Sequence, residues 1–580
     1  MTEIVATESD AASSPDPTLD AARAWLAEDP DPETRAELAE LVERAEDGDA
    51  EASADLHDRF DTRLAFGTAG LRGELGAGSN RMNRVLVAQT AAGLAAFVRD
   101  RVAGSTGADD SATIVIGYDG RKNSAVFARD SAEIFAGAGL RAILLPRMLP
   151  TPVLAFAVRH LGADAGVMVT ASHNPPRDNG YKVYLGGEDD GAQIVSPADA
   201  QIAARIDEVA SDIPVSRIPR SLGFEIAGED VVDAYAAETA ATAPAPAVDA
   251  GDTGALRWVY TAMHGVGHDT LDRLLSAAGY PAPTTVDAQI LPDPDFPTVA
   301  FPNPEESGAM DLAIEAAAAT NAELILANDP DADRLAVAVP DGSGGWRRLS
   351  GNDVGLLLGW RAARRARAAG APEGSSLACS LVSSPGLAAI AGHYGLDFHE
   401  TLTGFKWISR SPGMVFGFEE ALGYLVDPHV VRDKDGLSAA LAVLELATQA
   451  RAAGSSLGGM LSDLASQFGH FASAQVSMRV DDLSVIGRIM ARLRAEHPTD
   501  IAGIHVSRVD DLLGGTATLP PGDVVRLWLD DGSRLIVRPS GTEPKLKVYI
   551  DVRGDSAEDA AARTAALEDA SRALVARLQG

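Results

Sequence analysis

Cysteine is almost missing from this sequence: Cys379 is the only one in 580 residues. One thiol cannot close an internal disulfide, so core packing must hold the chain. Cys379, inside Leu377-Ala378-Cys379-Ser380-Leu381, reads as small core filler. Long hydrophobic runs are missing as well, and no stretch approaches the roughly 20 apolar residues that span a bilayer. The start, Met1-Thr2-Glu3-Ile4, carries no basic or apolar leader, so a cytoplasmic protein is expected. Positive charge is scarce: 49 Lys and Arg face 83 Asp and Glu, a formal net charge of −34. That balance argues against nucleic acid or anionic membranes as partners, because phosphate backbones need a basic face. An anionic substrate would require the few cations to be concentrated in one cleft. The acidity itself reflects either genome composition or salt adaptation.

Lysine is the scarcest charge. Of the 49 basic residues only six are Lys, at positions 122, 182, 406, 434, 545 and 547. Each lies in a glycine- or proline-flanked motif that reads as a loop, such as Gly120-Arg121-Lys122-Asn123 or Asp433-Lys434-Asp435-Gly436. With the surface written in Arg, a Lys is expected where a compact point charge is needed. The plain alternative is chance scatter.

What is present is ordinary globular material, 46% hydrophobic, long enough for roughly four domains of about 150 residues each. Residues 1–60 are acidic, with helices expected around Ala21–Ala27 and Pro32–Glu46 and disorder over the first dozen residues. Strand and helix patterns then alternate: Ala112–Gly117, Ser124–Ala138, Arg141–Leu145, Thr151–Leu161 and Ala165–Thr170, a βαβαβ reading. An Ala/Pro-rich stretch from Thr242 to Gly254 reads as a linker or loop insertion. Further strands are expected at Leu256–Thr261, Glu323–Ala327 and Met414–Phe418, with a hairpin over Ser533–Val537 and Leu546–Val552. The expected division is 1–58 (acidic helical extension), 59–222, 223–346, 347–468 and 469–580. No sequence repeat is evident, yet each of the four units presents a polar loop just after a strand, which suggests four loops converging on one cleft.

Four motifs carry chemistry. Thr170-Ala171-Ser172-His173-Asn174-Pro175 follows the apolar run Ala165–Val169 and places a serine at the carboxyl end of a strand, where open α/β sheets bind ligands. Ser172 lacks the Gly-x-Ser-x-Gly context of a hydrolase elbow, and His173 is either a phosphate contact or structural. Asp329-Pro330-Asp331-Ala332-Asp333-Arg334 sets carboxylates at i, i+2 and i+4, as a hard cation requires. An EF-hand is excluded, because its glycine position is Arg334 and its glutamate position is Pro340. Mg²⁺ suits better, since it takes few protein ligands. A solvated acidic loop such as Pro292-Asp293-Pro294-Asp295-Phe296 is the alternative. Arg538-Pro539-Ser540-Gly541-Thr542-Glu543-Pro544 has the composition of a phosphate nest, or of a simple Pro/Gly turn. Glu419-Glu420, on a glycine-flanked loop, would accept hydrogen bonds from sugar hydroxyls or begin a helix. Lys406, in Thr403-Gly404-Phe405-Lys406-Trp407, would pair with a phosphate or be solvated. A serine beside a Mg²⁺ loop and an anion nest points to phosphoryl transfer. A phosphatase would need only one phosphate station, and an inactive sugar-phosphate binding protein would not need Ser172 and the three aspartates.

Taken in order along residues 60–552, these motifs resemble those of the α-D-phosphohexomutase superfamily. The resemblance implies four domains around a central cleft: three related α/β domains with mixed sheets, and a C-terminal TATA-box-protein-like α+β domain. It implies that Ser172 is a phosphoserine. Asp329, Asp331 and Asp333 would bind Mg²⁺ with Ser172, and Glu419 would read the sugar. Arg538, Ser540, Gly541 and Thr542 would hold the phosphate that stays in place. Arg72, Lys182, His173 and Arg334 are expected in the catalytic site, with Thr403, Gly404, Lys406 and Ala421 beside the sugar. Ala421 departs from the Glu-x-Ser of many members, and the surrounding loop looks most like the phosphoglucomutase/phosphopentomutase branch. The implied reaction interconverts glucose 1-phosphate and glucose 6-phosphate, with glucose 1,6-bisphosphate as intermediate and activator. A phosphopentomutase or phosphomannomutase is the alternative. Sugar phosphates are the expected partners of a monomer or dimer, without nucleic acid or membrane.

Overall fold

The computed structural model describes residues 16–67, 70–106, 112–246, 256–480, 482–540 and 545–579. The disorder expected over the first dozen residues, residues 247–254 of the expected linker, and Gly541 and Thr542 lie outside the described residues. Among the described residues no helix is long and apolar enough to cross a membrane.

The acidic start forms three helices, Pro17–Glu28, Pro32–Glu46 and Ala50–Phe60. Each opens on an aspartate, Asp16, Asp31 or Asp49, whose carboxylate accepts a first-turn N–H, and the first two have proline early in the turn. This capping starts the first helix earlier than the apolar pattern at Ala21 suggests. The three pack on Ala22, Leu38, Leu41 and Leu56. Arg59 ties them to the next domain, bonding Glu37 and Asp55 and donating to the Ala77 carbonyl.

Three mixed sheets follow, each a parallel core with an antiparallel margin. The first centres on Thr113–Tyr118, with Arg141–Leu144 and Ala165–Val169 parallel on either side; Asp178–Leu185 then runs antiparallel to Ala165–Val169. The short strand Glu225–Ile226 joins its far edge. In the second, Leu324–Asn328 is parallel to Trp258–Thr261 and antiparallel to Leu335–Pro340. In the third, Ser376–Ser380 is parallel to Asp397–Thr401 and Met414–Glu419, and Met414–Glu419 turns back into Gly423–Leu425. The inner strands Ala165–Val169 and Leu324–Asn328 are buried along their whole length, which is why they read as continuous apolar runs. The C-terminal unit differs: six antiparallel strands, with helices Leu483–Ala495 and Ala557–Gln579 sharing its core through Ile489, Leu493, Leu567 and Leu574.

The loops that matter occupy the same place in all three mixed sheets. Each joins the last parallel strand to its antiparallel neighbour, so Ser172, Asp329–Arg334 and Glu420–Leu422 leave corresponding strand ends. The fourth joins hairpin strands Arg534–Pro539 and Lys545–Gly554. Two expectations are corrected. The lysines are not all in loops: Lys182, Lys545 and Lys547 lie on strands and Lys406 in the short helix Phe405–Ile408, because Gly404 and Pro544 come just before a helix and a strand in the sequence and Gly180 lies within its strand, where a Cβ would meet the Thr170 carbonyl at 2.6 Å. Glu419 ends a strand rather than sitting in a loop, and Glu420 occupies the tight return to Gly423, so the pair begins no helix.

Candidate active site

Ser172 stands at the carboxyl end of Ala165–Val169 in a left-handed backbone conformation, φ 52°, and is 2% exposed. Its N–H donates to Thr170 Oγ1 (2.8 Å) and its hydroxyl to Asp329 Oδ2 (2.7 Å). His173 Nδ1 lies 3.2 Å from Ser172 Oγ. Burial, with Arg334 and Arg72 nearby, pushes the His173 imidazole well below its usual range and keeps it neutral. Arg72, on strand Leu71–Glu74, donates to Asn174 Oδ1 in the same loop (3.2 Å).

The three aspartates of the second loop are fully buried and offer oxygens within 4.8 Å of one another. Asp331 Oδ2 accepts from Thr151 Oγ1 (2.7 Å) and Lys182 Nζ (2.8 Å), with Thr170 Oγ1 at 3.3 Å. Asp333 Oδ2 accepts from Lys182 (2.7 Å) and Lys434 (2.9 Å). Burial and the two neighbouring carboxylates push Asp329 far above the usual range. Burial also raises Asp331 and Asp333, but Lys182 and Lys434 outweigh it and hold both low. Arg334 donates to the Ala421 carbonyl (3.0 Å), and its backbone bridges Gly423, so the second and third loops are joined. The join needs Gly436: a Cβ there would lie 2.2 Å from the Arg334 carbonyl. Asp331 Oδ1 and Asp333 Oδ1 are buried and find no hydrogen-bond partner among the described residues. Two orphaned carboxylate oxygens beside a third carboxylate fit a hard cation taking oxygen ligands, and Mg²⁺ suits that donor set.

The two glutamates divide. Glu420 is tied to the protein, accepting from Ser380 Oγ (3.1 Å) and Ser383 Oγ (3.0 Å). Glu419 accepts no hydrogen bond from a side chain among the described residues. Burial pushes its carboxyl up, and Lys434 and Arg334 oppose that. Thr403 and Gly404 open the helix that carries Lys406 and Phe405, and a Cβ on Gly423 would meet Phe405 at 2.7 Å, which places that turn under the glutamate loop. Burial lowers Lys406, with Asp199 opposing. The structure therefore sets the turn that carries Thr403, Gly404 and Lys406 beside the third loop. In the fourth domain the Ser540 N–H closes the hairpin loop on the Lys545 carbonyl (2.7 Å). Arg538, on the strand before it, and Glu420 both act on Tyr549, which burial raises first. Arg534 clasps the third domain, donating to Glu400 (2.7 Å) and to the Ser383 carbonyl (2.8 Å).

The structure brings Ser172 against the aspartates that sequence reasoning singled out and adds three neighbours that it did not name there. Lys434 was visible as one of the six lysines. Thr170 sat inside the serine motif. Thr151, which also donates its N–H to the Asp331 carbonyl (2.9 Å), begins an unremarkable helix and carried no signal.

Family models for phosphoglucomutase/phosphomannomutase match in chain order: alpha/beta/alpha domain I at residues 63–212, domain II at 233–343, domain III at 350–468 and the C-terminal domain at 490–569. A Haemophilus influenzae protein named "Probable phosphomannomutase" is 54% identical over 479 residues, covering 83% of this chain and 94% of that protein. Human phosphopentomutase is 35% identical, covering 86% of each. A Staphylococcus epidermidis phosphoglucomutase is 33% identical, covering 87% and 93%. Among solved structures, a Burkholderia thailandensis phosphoglucomutase/phosphomannomutase family protein superposes with a TM-score of 0.67 at 20% identity, covering 89% of this chain and 98% of that one. The four matched domains, with a serine and three aspartates meeting between the first two, place this chain in the phosphoglucomutase/phosphomannomutase family of the α-D-phosphohexomutases.

Proposed function

We propose that this phosphomutase acts in the cytoplasm on glucose 1-phosphate and glucose 6-phosphate, through phosphoserine 172 and glucose 1,6-bisphosphate. The observation that carries the reading is the 2.7 Å contact between Ser172 Oγ, from the first domain, and Asp329, from the second. It sets the serine hydroxyl that would carry the phosphoryl group against the carboxylates suited to a cation. Asp329, Asp331 and Asp333 would hold Mg²⁺, which when bound would supply positive charge for the transferring phosphoryl group.

The roles of the chain's own groups follow. The Oγ–P bond of phosphoserine 172 breaks as the sugar hydroxyl oxygen forms a new O–P bond, and the hydroxyl's proton ends on Ser172 Oγ, which returns to a serine hydroxyl. Neutral His173 hydrogen-bonds the departing serine oxygen. Lys182, Lys434, Arg72 and Arg334 surround the transferred group with charge. Glu419, the glutamate not engaged by protein hydroxyls, orients the sugar, while Ser380 and Ser383 hold Glu420 and with it the loop. Thr403, Gly404, Lys406 and Ala421 line the sugar side, and Arg538, Ser540, Gly541 and Thr542 grip the phosphate that is not moving. Re-orientation of the bisphosphate exchanges the two phosphates between these stations. A phosphatase has no use for the second station.

Two other sugars have specific support. The relative at 54% identity is named for mannose, and Ala421 removes a hydroxyl from the sugar loop, which favours a pentose, as does the 35% likeness to human phosphopentomutase. Glucose, mannose and ribose 1-phosphates are to be offered with and without EDTA, following the isomerised sugar phosphate, free phosphate and intact protein mass. The reading expects isomerisation without phosphate release, full dependence on divalent metal, and a phosphorylated fraction absent from Ser172→Ala. That variant should stay folded, with stability within about 1 kcal/mol of wild type. Turnover in Ser172→Ala would defeat it.

A further inference from the structure

Two sequence features found no place in the site above: Gly120-Arg121-Lys122-Asn123 and the acidic loop Pro292–Phe296. The structure joins them behind the serine. Lys122 turns outward to Glu33, but the Arg121 side chain is completely buried. Its guanidinium donates to four backbone carbonyls of the serine loop: Ser172 (2.5 Å) and Asn174 (2.7 Å) through one nitrogen, Pro175 (2.8 Å) and Asp178 (3.2 Å) through another. Asp119 lies 3.5 Å from Nε and supplies the counter-charge. From the second domain the ring of Phe296 covers the guanidinium, 5.0 Å from its centroid. Phe296 is 3% exposed, has φ 47°, and makes a T-shaped contact with His264. Pro292 closes on the same turn: a Cβ on Gly120 would meet it at 2.9 Å.

The need for such a brace lies in Ser172. A non-glycine residue resists φ 52°, and surrounding structure must impose it. Thr170 Oγ1 holds the Ser172 N–H and Arg121 holds its carbonyl, so both peptide groups flanking the serine are fixed. Relaxation of that backbone would swing the Cα–Cβ bond and carry Oγ away from Asp329. A planar fork can hold several carbonyls at once, which a lysine ammonium cannot reproduce.

We propose that Arg121 is a positioning residue for phosphoryl transfer at Ser172, and that Phe296 seats its guanidinium, so that contact between the first and second domains sets the serine. The role rests on the mutase reading, but one of its tests does not. Arg121→Lys and Phe296→Leu are to be made in the full chain, and backbone amide exchange over residues 170–178 followed with Mg²⁺ and no sugar. Steady-state kinetics with glucose 1-phosphate and its bisphosphate complete the set. Exchange over 170–178 should quicken at least about tenfold in both variants, with the Asp329–Arg334 segment and the melting of the other domains unchanged. Turnover should fall about 100-fold in Arg121→Lys and about tenfold in Phe296→Leu with KM within twofold, the pattern of a displaced nucleophile. Phe296→Leu leaves the guanidinium and its partners intact and decides the matter if Arg121→Lys does not fold. Unchanged exchange over 170–178, or KM rising as far as kcat falls, would overturn the proposal. Faster loop exchange in variants of a wild type that isomerises no sugar phosphate would uphold the brace and overturn the mutase reading.

Discussion

Replacing Lys182 by methionine keeps the side chain's length and removes its charge. In the structure Nζ lies 2.8 Å from Asp331 and 2.7 Å from Asp333. Three buried carboxylates, Asp329, Asp331 and Asp333, face three cations, Lys182, Lys434 and Arg334. Charge-assisted hydrogen bonds contribute about 1.5–3 kcal/mol each, and stripping one partner from a buried pair costs about 3–5 kcal/mol. Lys182→Met should therefore lose about 3–5 kcal/mol in EDTA at neutral pH. The sign with pH follows from Asp331, whose carboxyl is held below its ordinary value of 3.8, with burial outweighed chiefly by Lys182. A depressed acid stabilises the fold above its unfolded pKa and loses that contribution as pH falls through the folded one. The variant lacks that contribution, so its deficit should shrink as pH is lowered below about 4. Mg²⁺ restores positive charge to the same carboxylates and binds only the folded site, so it should recover most of the lost stability. Urea unfolding of both proteins, in EDTA and in millimolar Mg²⁺, measures this. Equal midpoints in EDTA, or a deficit that Mg²⁺ leaves untouched, would refute the charge balance.

Other perturbations read separate parts of the molecule. Burial raises Asp435 to about 6, against hydrogen bonds from Ser438 and Tyr235; the native state therefore binds this proton more tightly, and stability should rise as pH falls from 7 through 6, by about 3 kcal/mol in full. Asp435→Asn keeps the helix cap and should flatten that rise in urea midpoints taken across pH 5–7.5. Arg538→Ala should raise KM for sugar phosphate by roughly ten- to hundredfold with little change in Ser172 phosphorylation, and an unchanged KM would make its loop a mere turn. Ala421→Ser should shift kcat/KM toward hexose over pentose by about two- to tenfold in competition assays, and an unmoved ratio would show that the sugar does not meet this position.

What was legible in the sequence is what strands and loops write locally. Buried parallel strands read as apolar runs, and the polar tetrads after them stand out because almost nothing else in those runs is polar. Hence Ser172, the aspartates and the glutamate pair were found, together with the suggestion of four converging loops. Partnership at a distance was not legible. That Lys182 and Lys434 share Asp333 and that Thr151 begins its helix on Asp331 are consequences of docked domains, and that Arg121 holds the serine loop is a consequence of the first domain's own fold, with sequence separations of 51 to 180 residues between partners. Glycine and proline also misled: they mark strand ends as readily as loops, so the strand lysines looked like loop residues. Glu419 and Glu420 were indistinguishable as neighbours. Strand pairing with Gly423–Leu425 and the hydroxyls of Ser380 and Ser383 separate them.

The charge balance at the aspartates also bears on why the protein should depend on a metal at all. An enzyme with a net charge of −34 must bind anionic sugar phosphates against its own field. Its site cations are largely committed already. Lys182 and Lys434 lie on the aspartates and Arg334 beside them; Arg121 sits on carbonyls of the serine loop. Lys182, Lys434 and Arg334 are shared with the aspartates, which leaves chiefly Arg72, bonded to Asn174, to meet the roughly two negative charges that a phosphoserine would bring. The orphaned oxygens of Asp331 and Asp333 answer this: they offer a divalent cation a place where its two charges match those the phosphoserine brings. On the proposed reading the second station differs, because Arg538 would meet the anchored phosphate through its own guanidinium. One end of the cleft would then hold phosphate through a metal and the other through the chain's own groups. That asymmetry lets a bisphosphate be reactive at one end while merely anchored at the other.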